Sequence, residues 1–239
     1  MQDNNKHEFY LTCEKYYIFE LLTMAAGMMG LYTYNLRGGV FCNAQTGNIV
    51  LMSMAFGHGE ISEGFYYLIP FSAYLAGTIV SEIMPEKIRH LLFIRWDTFL
   101  IGFEILILML IGFMPLSWPA QIVQVIINFI CSMQYNTFRQ AEGISMATTF
   151  LTNHVRQVGI YLAKYVSERD NEIKKKLLRH SQIILVFFLG GMIMTYASRL
   201  FYERAIWLAL IPLLVCFILM LHADLFNERS KLNQKPHGH

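Results

Sequence analysis

Charged side chains are scarce in this sequence: Asp, Glu, Lys and Arg together make up 15% of 239 residues. Soluble domains carry about 25%, so the chain lacks the material for a charged shell around a single core. Net charge is also small, +2 with neutral histidine. That removes the basis for nucleic-acid binding, which depends on many Lys and Arg neutralising phosphates. Cysteine is sparse and unclustered. Cys13, Cys42, Cys131 and Cys216 stand singly, with no CxxC and no histidine at ligand spacing. Neither a disulfide framework nor a zinc site is expected, and no metal or other cofactor is called for. Catalytic signatures are missing too: there is no His-Glu-x-x-His, no Gly-x-Ser-x-Gly, no P-loop and no Rossmann glycine pattern. An enzyme is therefore not expected. The polar opening from Met1 to Glu8 leads into an apolar run without an Ala-x-Ala-like exit, so no cleaved leader is expected either.

What is abundant is apolar surface. Hydrophobic residues reach 55% and mean hydropathy is +0.39, and the apolar runs recur from Tyr16 to His222 with charges confined to the gaps. Such a chain belongs in a bilayer, and the fold expected is an all-α polytopic membrane helical bundle. Six windows of spanning length stand out, over 16–34, 65–84, 98–114, 120–138, 182–200 and 205–222. Two further segments fit less well. The stretch 43–56 is short for a crossing of about 20 residues and follows the glycine-rich Arg37-Gly38-Gly39-Val40-Phe41. The stretch 149–166 carries Asn153, His154, Arg156, Gln157 and Lys164.

The placement of Lys and Arg separates two topologies. If all eight segments cross, 11 basic residues fall inside and 7 outside. If the two odd segments enter and return on the same side, 15 fall inside and 3 outside, namely Arg37, Arg199 and Arg204. Arg156, within a segment, is left out of both counts. The positive-inside rule favours six full spans plus two short re-entrant or half helices, with both short polar tails cytoplasmic in a bacterial inner membrane. The run Ser167 to Arg179, with Lys174, Lys175 and Lys176, reads as a solvated cytoplasmic helix whose cations touch anionic lipid.

A shift of 106 residues lays Gln45-Thr46-Gly47-Asn48-Ile49 on Leu151-Thr152-Asn153-His154-Val155. Span, short polar-led segment, span, span occurs twice, once over about 14–114 and once over about 119–223. Three crossings per half would invert the second half relative to the first, giving an inverted repeat within one membrane domain covering 1–239. Thr and Asn favour helix N-caps and Gly permits close approach, so both triplets read as starts of short helices, whose exposed N–H groups suit an anion or a polar solute. The bland alternative is that they cap ordinary or interfacial helices.

Polar residues inside the spans extend the candidate set. Glu104 lies deep in its run, and Gln134 and Asn136 precede the second triplet. Glu20 is nearer a span end and Asn128 lies within the fourth span, while Glu82 sits beside Pro85 at an interface. Ala26 with Gly30 and Ala73 with Gly77 suit close helix packing. The 14 methionines, with no His or Cys joining them at regular spacing, suit core filling better than soft-metal binding.

Gly38-Gly39-Val40-Phe41 followed by Thr46-Gly47-Asn48, then Met133-Gln134-Tyr135-Asn136 followed by Thr148-Thr149-Phe150-Leu151-Thr152, resemble the YoaK-like family of bacterial membrane proteins. The likeness covers about 20–221 and implies a multi-spanning protein, without an assigned activity. Two departures stand against that pattern. Members often carry an Asp after the Ala-Gly of the first span, where this chain has Met28, and a Gly after the second Thr, where it has Asn153. The second short helix is accordingly expected to be less open to a ligand than the first.

The expectation is a transporter or channel for a small polar or anionic solute. Its central site would comprise Thr46, Gly47, Asn48, Thr152 and Asn153, flanked by Gln134, Asn136 and Glu104. The alternative is a non-transporting membrane protein that binds a lipid or a partner protein. The bilayer is the expected partner in either case, and an oligomer is compatible with both.

Overall fold

A computed structural model describes residues 9–88 and 93–237. The expected polar N-terminal tail at 1–8, and Arg89 among the residues counted as inside, lie outside the described residues. The chain is mostly helical. α1 (Tyr16–Leu36) is followed by α2 (Gln45–Gly57), α3 (Ile61–Ile88), α4 (Trp96–Ile111) and α5 (Ala120–Thr137). A two-residue antiparallel hairpin, β1 (Gln140–Ala141) with β2 (Ile144–Ser145), leads to α6 (Thr152–Glu168), α7 (Asn171–Phe201) and α8 (Leu210–His222).

The helices follow the apolar runs, with three differences at their ends. α3 continues through Pro85, where the hydropathy window stops, because a proline removes one hydrogen bond without preventing the helix from carrying on. The window 205–222 begins as a 3-10 helix, Tyr202–Ala209, before α8. Tyr202 has φ of 50°, which ends α7, and the Trp207 indole N–H donates to the Met109 carbonyl at 3.1 Å, fastening this tight turn to the end of α4. The basic run after 167 is continuous with the span behind it, since α7 is one helix of 31 residues, started by Asp170, whose side chain accepts from the Glu172 N–H at 2.8 Å.

α1 forms the centre. Leu22, Ala25, Ala26 and Met29 are fully enclosed, and the helix packs on α7, α8, α5 and the 3-10 segment. α3 packs on α5, α2 on α3, α6 on α7, and α4 on α8. Backbones meet directly where glycine allows it. A Cβ at Gly77 of α3 would collide with the Phe129 carbonyl of α5, and one at Gly190 of α7 with the Met24 carbonyl of α1. Small residues at such crossings are how helices associate where lipid removes the hydrophobic drive. Outward faces remain apolar, with Ile69, Leu75 and Ile79 of α3, Leu185 and Ile193 of α7, and Ile211 and Ile218 of α8 exposed. By length and apolarity alone, Ile61–Lys87 and the continuous stretch Asn171–Asn227 reach the dimensions of a membrane crossing.

Polar contacts gather at the two ends of the bundle. At the first, Arg95 pairs with Asp224 at 3.2 Å and with Glu228 at 2.5 Å, Glu228 also accepts from the Thr12 N–H at 2.8 Å, and Arg179 pairs with Glu142 at 2.6 Å. Burial opposes the charge on Arg95, but its hydrogen bond to Glu228 and the electrostatic pull of Cys13, Asp224 and Glu228 outweigh it and raise the pKa above the ordinary value. At the second end Arg37 is fully buried. It donates to the carbonyls of Pro115 (3.1 Å) and Met114 (2.6 Å) and to the Tyr32 hydroxyl (3.0 Å), an arrangement in which carbonyls of the turn after α4 take the place of a carboxylate. Gly38 and Gly39, at φ of 79° and 71°, turn the chain there. A Cβ at Gly38 would meet Tyr66 and Gln124, so the turn needs glycine in both conformation and space.

Candidate functional site at two interrupted helices

After Arg37 the chain runs back into the bundle before α2 begins. Asn43 donates from Nδ2 to the Ala26 carbonyl, midway along α1, at 3.2 Å. Cys42 Sγ lies 3.5 Å from Cys131 Sγ of α5, and Gln45 Nε2 donates to Asn128 Oδ1, also on α5, at 2.8 Å. The start of α2 therefore sits at mid-height, and a helix of 13 residues, at about 1.5 Å per residue, rises only some 20 Å back toward the end from which the chain came. A crossing needs about 30 Å.

What holds this start in place is Asn48. The Phe41 N–H donates to its Oδ1 at 3.0 Å, and its Nδ2 donates to the Phe41 carbonyl at 2.7 Å and to Gln45 Oε1 at 3.1 Å. One side chain thus satisfies both backbone groups of the residue seven positions back, groups that would otherwise be left unpaired inside the bundle.

At the start of α6 a different residue takes the corresponding place, and its ring nitrogen bonds one of the two backbone groups, according to which nitrogen carries the proton. His154 Nε2 lies 3.2 Å from the Ala147 N–H and 3.0 Å from the Ala147 carbonyl oxygen, again seven positions back. Its Nδ1 lies 2.9 Å from Nδ1 of His180 on α7, and Tyr161 stacks on His180 at an interplanar angle of 11°. Phe41 and Ala147, like Asn48 and His154, are 106 residues apart.

The expectation that Thr or Asn side chains cap the two helices is corrected. The N-cap residues are Ala44 and Leu151, and neither helix has a side-chain cap. Asn48 is turned backward onto Phe41, so its amide cannot also serve the first turn. Thr46 and Thr152 are exposed and Gly47 and Asn153 half-buried. Asn153 Oδ1 accepts from Arg156 at 2.9 Å.

The flanking candidates divide. Glu104 is fully buried and, among the described residues, neither carboxyl oxygen has a hydrogen-bond partner, while Cys131 of α5 and Cys216 of α8 lie within its electrostatic reach. Gln134 is likewise buried, with Nε2 3.4 Å from the Leu22 carbonyl and Oε1 unpartnered. Asn136 is elsewhere: it donates to Ser81 and Glu82, both at 3.0 Å, beside the Arg139–Glu82 ion pair at the first end of the bundle. Among the described residues no three or more His, Cys, Asp or Glu are gathered as a metal set would be.

Residues that sequence reasoning passed over complete the two junctions: Cys42, Gln45, Phe41, Ala147 and His180. The 106-residue shift already aligned Asn48 with His154, but it contained nothing about the backbone each would bind. The Cys42–Cys131 proximity carries a direct prediction. With Cys13 and Cys216 changed to serine, a membrane-permeant oxidant such as iodine should convert the remaining two thiols to one disulfide, consuming both in a thiol titration under denaturing conditions. A closure of about 1.5 Å suffices to reach the bonded distance. Two free thiols after oxidation would show that the segment before α2 does not lie against α5.

The family described as "Protein of unknown function (DUF1275)" matches residues 18–219. The UPF0700 transmembrane protein YoaK of Bacillus subtilis (strain 168) is 25% identical over 217 residues, covering 87% of this chain and 93% of that protein. No solved structure matches the chain significantly.

Proposed function

Since the chain belongs to the DUF1275 family and its relative is a transmembrane protein, we propose its activity from geometry alone: passage of a small polar or anionic solute across a membrane, past the starts of α2 and α6. The observation that carries this reading is a pair of uncapped helices, α2 beginning at mid-height, each anchored by one side chain to the backbone seven residues before it. A helix start at that depth is stable only in contact with protein or a polar cavity, and the open N–H groups of an uncapped helix start favour negative or polar ligands. Thr46, Gly47 and Asn48 with Thr152 and Asn153 form the proposed lining, joined by the Glu104 carboxyl and Gln134 Oε1, which have no hydrogen-bond partner among the described residues. The protein acts without enzymatic chemistry in this reading.

Topology follows in the same proposal. Thr12, Arg95, Glu142, Arg179 and Glu228 meet at one end of the bundle, and Arg37, Tyr66, Pro115 and Gln124 at the other. This supports six full spans, α1, α3, α4, α5, α7 and the 3-10 segment with α8, between which α2 and α6 enter and return. An inverted repeat is supported by the exchange of packing partners. α1 on α7 matches α5 on α3, and α2 on α3 matches α6 on α7. The glycine contacts match too, Gly77 with Phe129 and Gly190 with Met24. The positive-inside balance then assigns the first end, with both termini, to the cytoplasm of a bacterial inner membrane.

Two measurements test this. Single cysteines placed through 46–57 and 152–168 should label from one side of the membrane for each segment, the outer side for the first and the inner for the second. A segment whose two flanks label from opposite sides crosses the membrane, and the inverted arrangement fails. Proteoliposome swelling in glycerol, urea, formate and acetate should exceed that of empty liposomes for at least one probe and fall in Thr46→Trp and Thr152→Trp. Equal swelling with all four argues against passage.

A further inference from the structure

A groove of about 620 Å³ runs along the contact of α1 with α7, within the range of ligand sites of 300–1,000 Å³. It is separate from the polar lining proposed above, although its inner end is Leu151, the residue before α6. From there it follows one stripe of α7 through Phe187 and Met192 to Arg199, about four turns of helix and some 20 Å. Leu31 of α1 forms the facing wall and packs close on Gly191, where a Cβ would lie 3.0 Å from its side chain. The shape is long, narrow and apolar, and its one charged lining residue is Arg199 at the far end. No carboxylate lines it, and among the described residues Arg199 has no ion pair.

We propose that this groove is a binding site for an anionic phospholipid, with an acyl chain along Phe187 and Met192 and the phosphate on Arg199. An apolar slot accepts an acyl chain from the surrounding bilayer at no cost in exposed polar groups. A guanidinium in the last turn of α7, near the second end of the bundle, offers the paired N–H donors that suit a phosphate. A neutral head group has the same chain but leaves the cation without a net negative partner, so charge decides between lipids. Because the groove fills from the bilayer, the site stands whether or not the protein conducts a solute. An occupied groove also covers Leu151 and so braces the start of α6 against α1 and α7.

The test uses the full-length protein in a neutral detergent, titrated with phosphatidylglycerol or phosphatidylcholine of the same chains, with retained lipid counted by native mass spectrometry and thermal stability read in parallel. Phosphatidylglycerol should bind at one saturable position and raise the melting temperature, and phosphatidylcholine should need roughly tenfold or more concentration for half-saturation. Arg199→Gln should abolish the difference between the two lipids, whereas Met192→Trp, which fills the groove, should abolish retention of both. Each changes an exposed side chain, and a melting temperature in detergent alone equal to wild type identifies a folded variant. Equal affinity for both lipids in wild type, a preference for phosphatidylglycerol surviving in Arg199→Gln, or retention surviving in Met192→Trp overturns the proposal. Dimers that exclude lipid in native mass spectra overturn it as well, by giving the groove to a second copy of this chain.

Discussion

Glu104→Leu should melt several degrees higher than the wild-type protein in detergent while losing its solute flux in liposomes. Glu104 is fully buried on α4, and neither carboxyl oxygen has a partner among the described residues. Holding an unpaired polar group in such a place costs about 1–3 kcal/mol, and replacing it with an apolar side chain of similar size recovers most of that. For a chain of this length, 1 kcal/mol corresponds to roughly 2–4 °C. An ionisable residue buried within a membrane-spanning helix is a functional candidate on that ground. Should Glu104→Leu melt lower than wild type, the carboxyl has a structural partner and the interpretation fails. A stabilised variant with undiminished flux would instead remove Glu104 from the transport site.

Asn48→Ala and His154→Ala should each destabilise the protein by about 1–3 kcal/mol, the cost of leaving interior backbone groups unpaired. The two sites also make a discriminating comparison. His154→Asn places at α6 the side chain that does the corresponding work at α2, where both groups of Phe41 are bonded by one amide. It should regain much of the stability lost in His154→Ala, though not the contact with His180 at 2.9 Å. Melting curves of the three variants decide the matter. If His154→Asn is no better than His154→Ala, the equivalence of the two junctions is only positional, and the His154–His180 contact is what holds α6.

Much of the helical layout was legible along the chain. Apolar runs of spanning length located α1, α3, α4, α5 and the last helical stretch to within a few residues and the end of α7, whose start lies eleven residues before its window, because burial in lipid imposes its length requirement on consecutive residues. Where α3 passes Pro85, the local signal misjudged the end, since a helix packed on a neighbour tolerates one missing hydrogen bond. The two odd segments were also visible, α2 by its shortness and α6 by its polarity. Their starts were misread in detail. Thr46 and Thr152 have the composition of N-caps, but capping depends on where the preceding residues turn, and here Asn48 and His154 draw that preceding chain backward. Asn136 was grouped with the site because it is close in sequence to the second triplet, yet it faces Glu82 at the bundle's end.

By itself, the sequence determined the medium and the helices. Scarce charge and 55% hydrophobic residues are sums over the chain, and the solvent responds to sums. Only the tertiary structure decided which polar groups meet. Cys42 and Cys131 are 89 residues apart, Gln45 and Asn128 are 83, and Arg37 and Pro115 are 78. No local pattern encodes such pairs. In the interior a polar group needs a partner, and it takes whichever one the packing of apolar helices has brought beside it. The oxygens of Glu104, which packing left without one, are for that reason the first to examine for function.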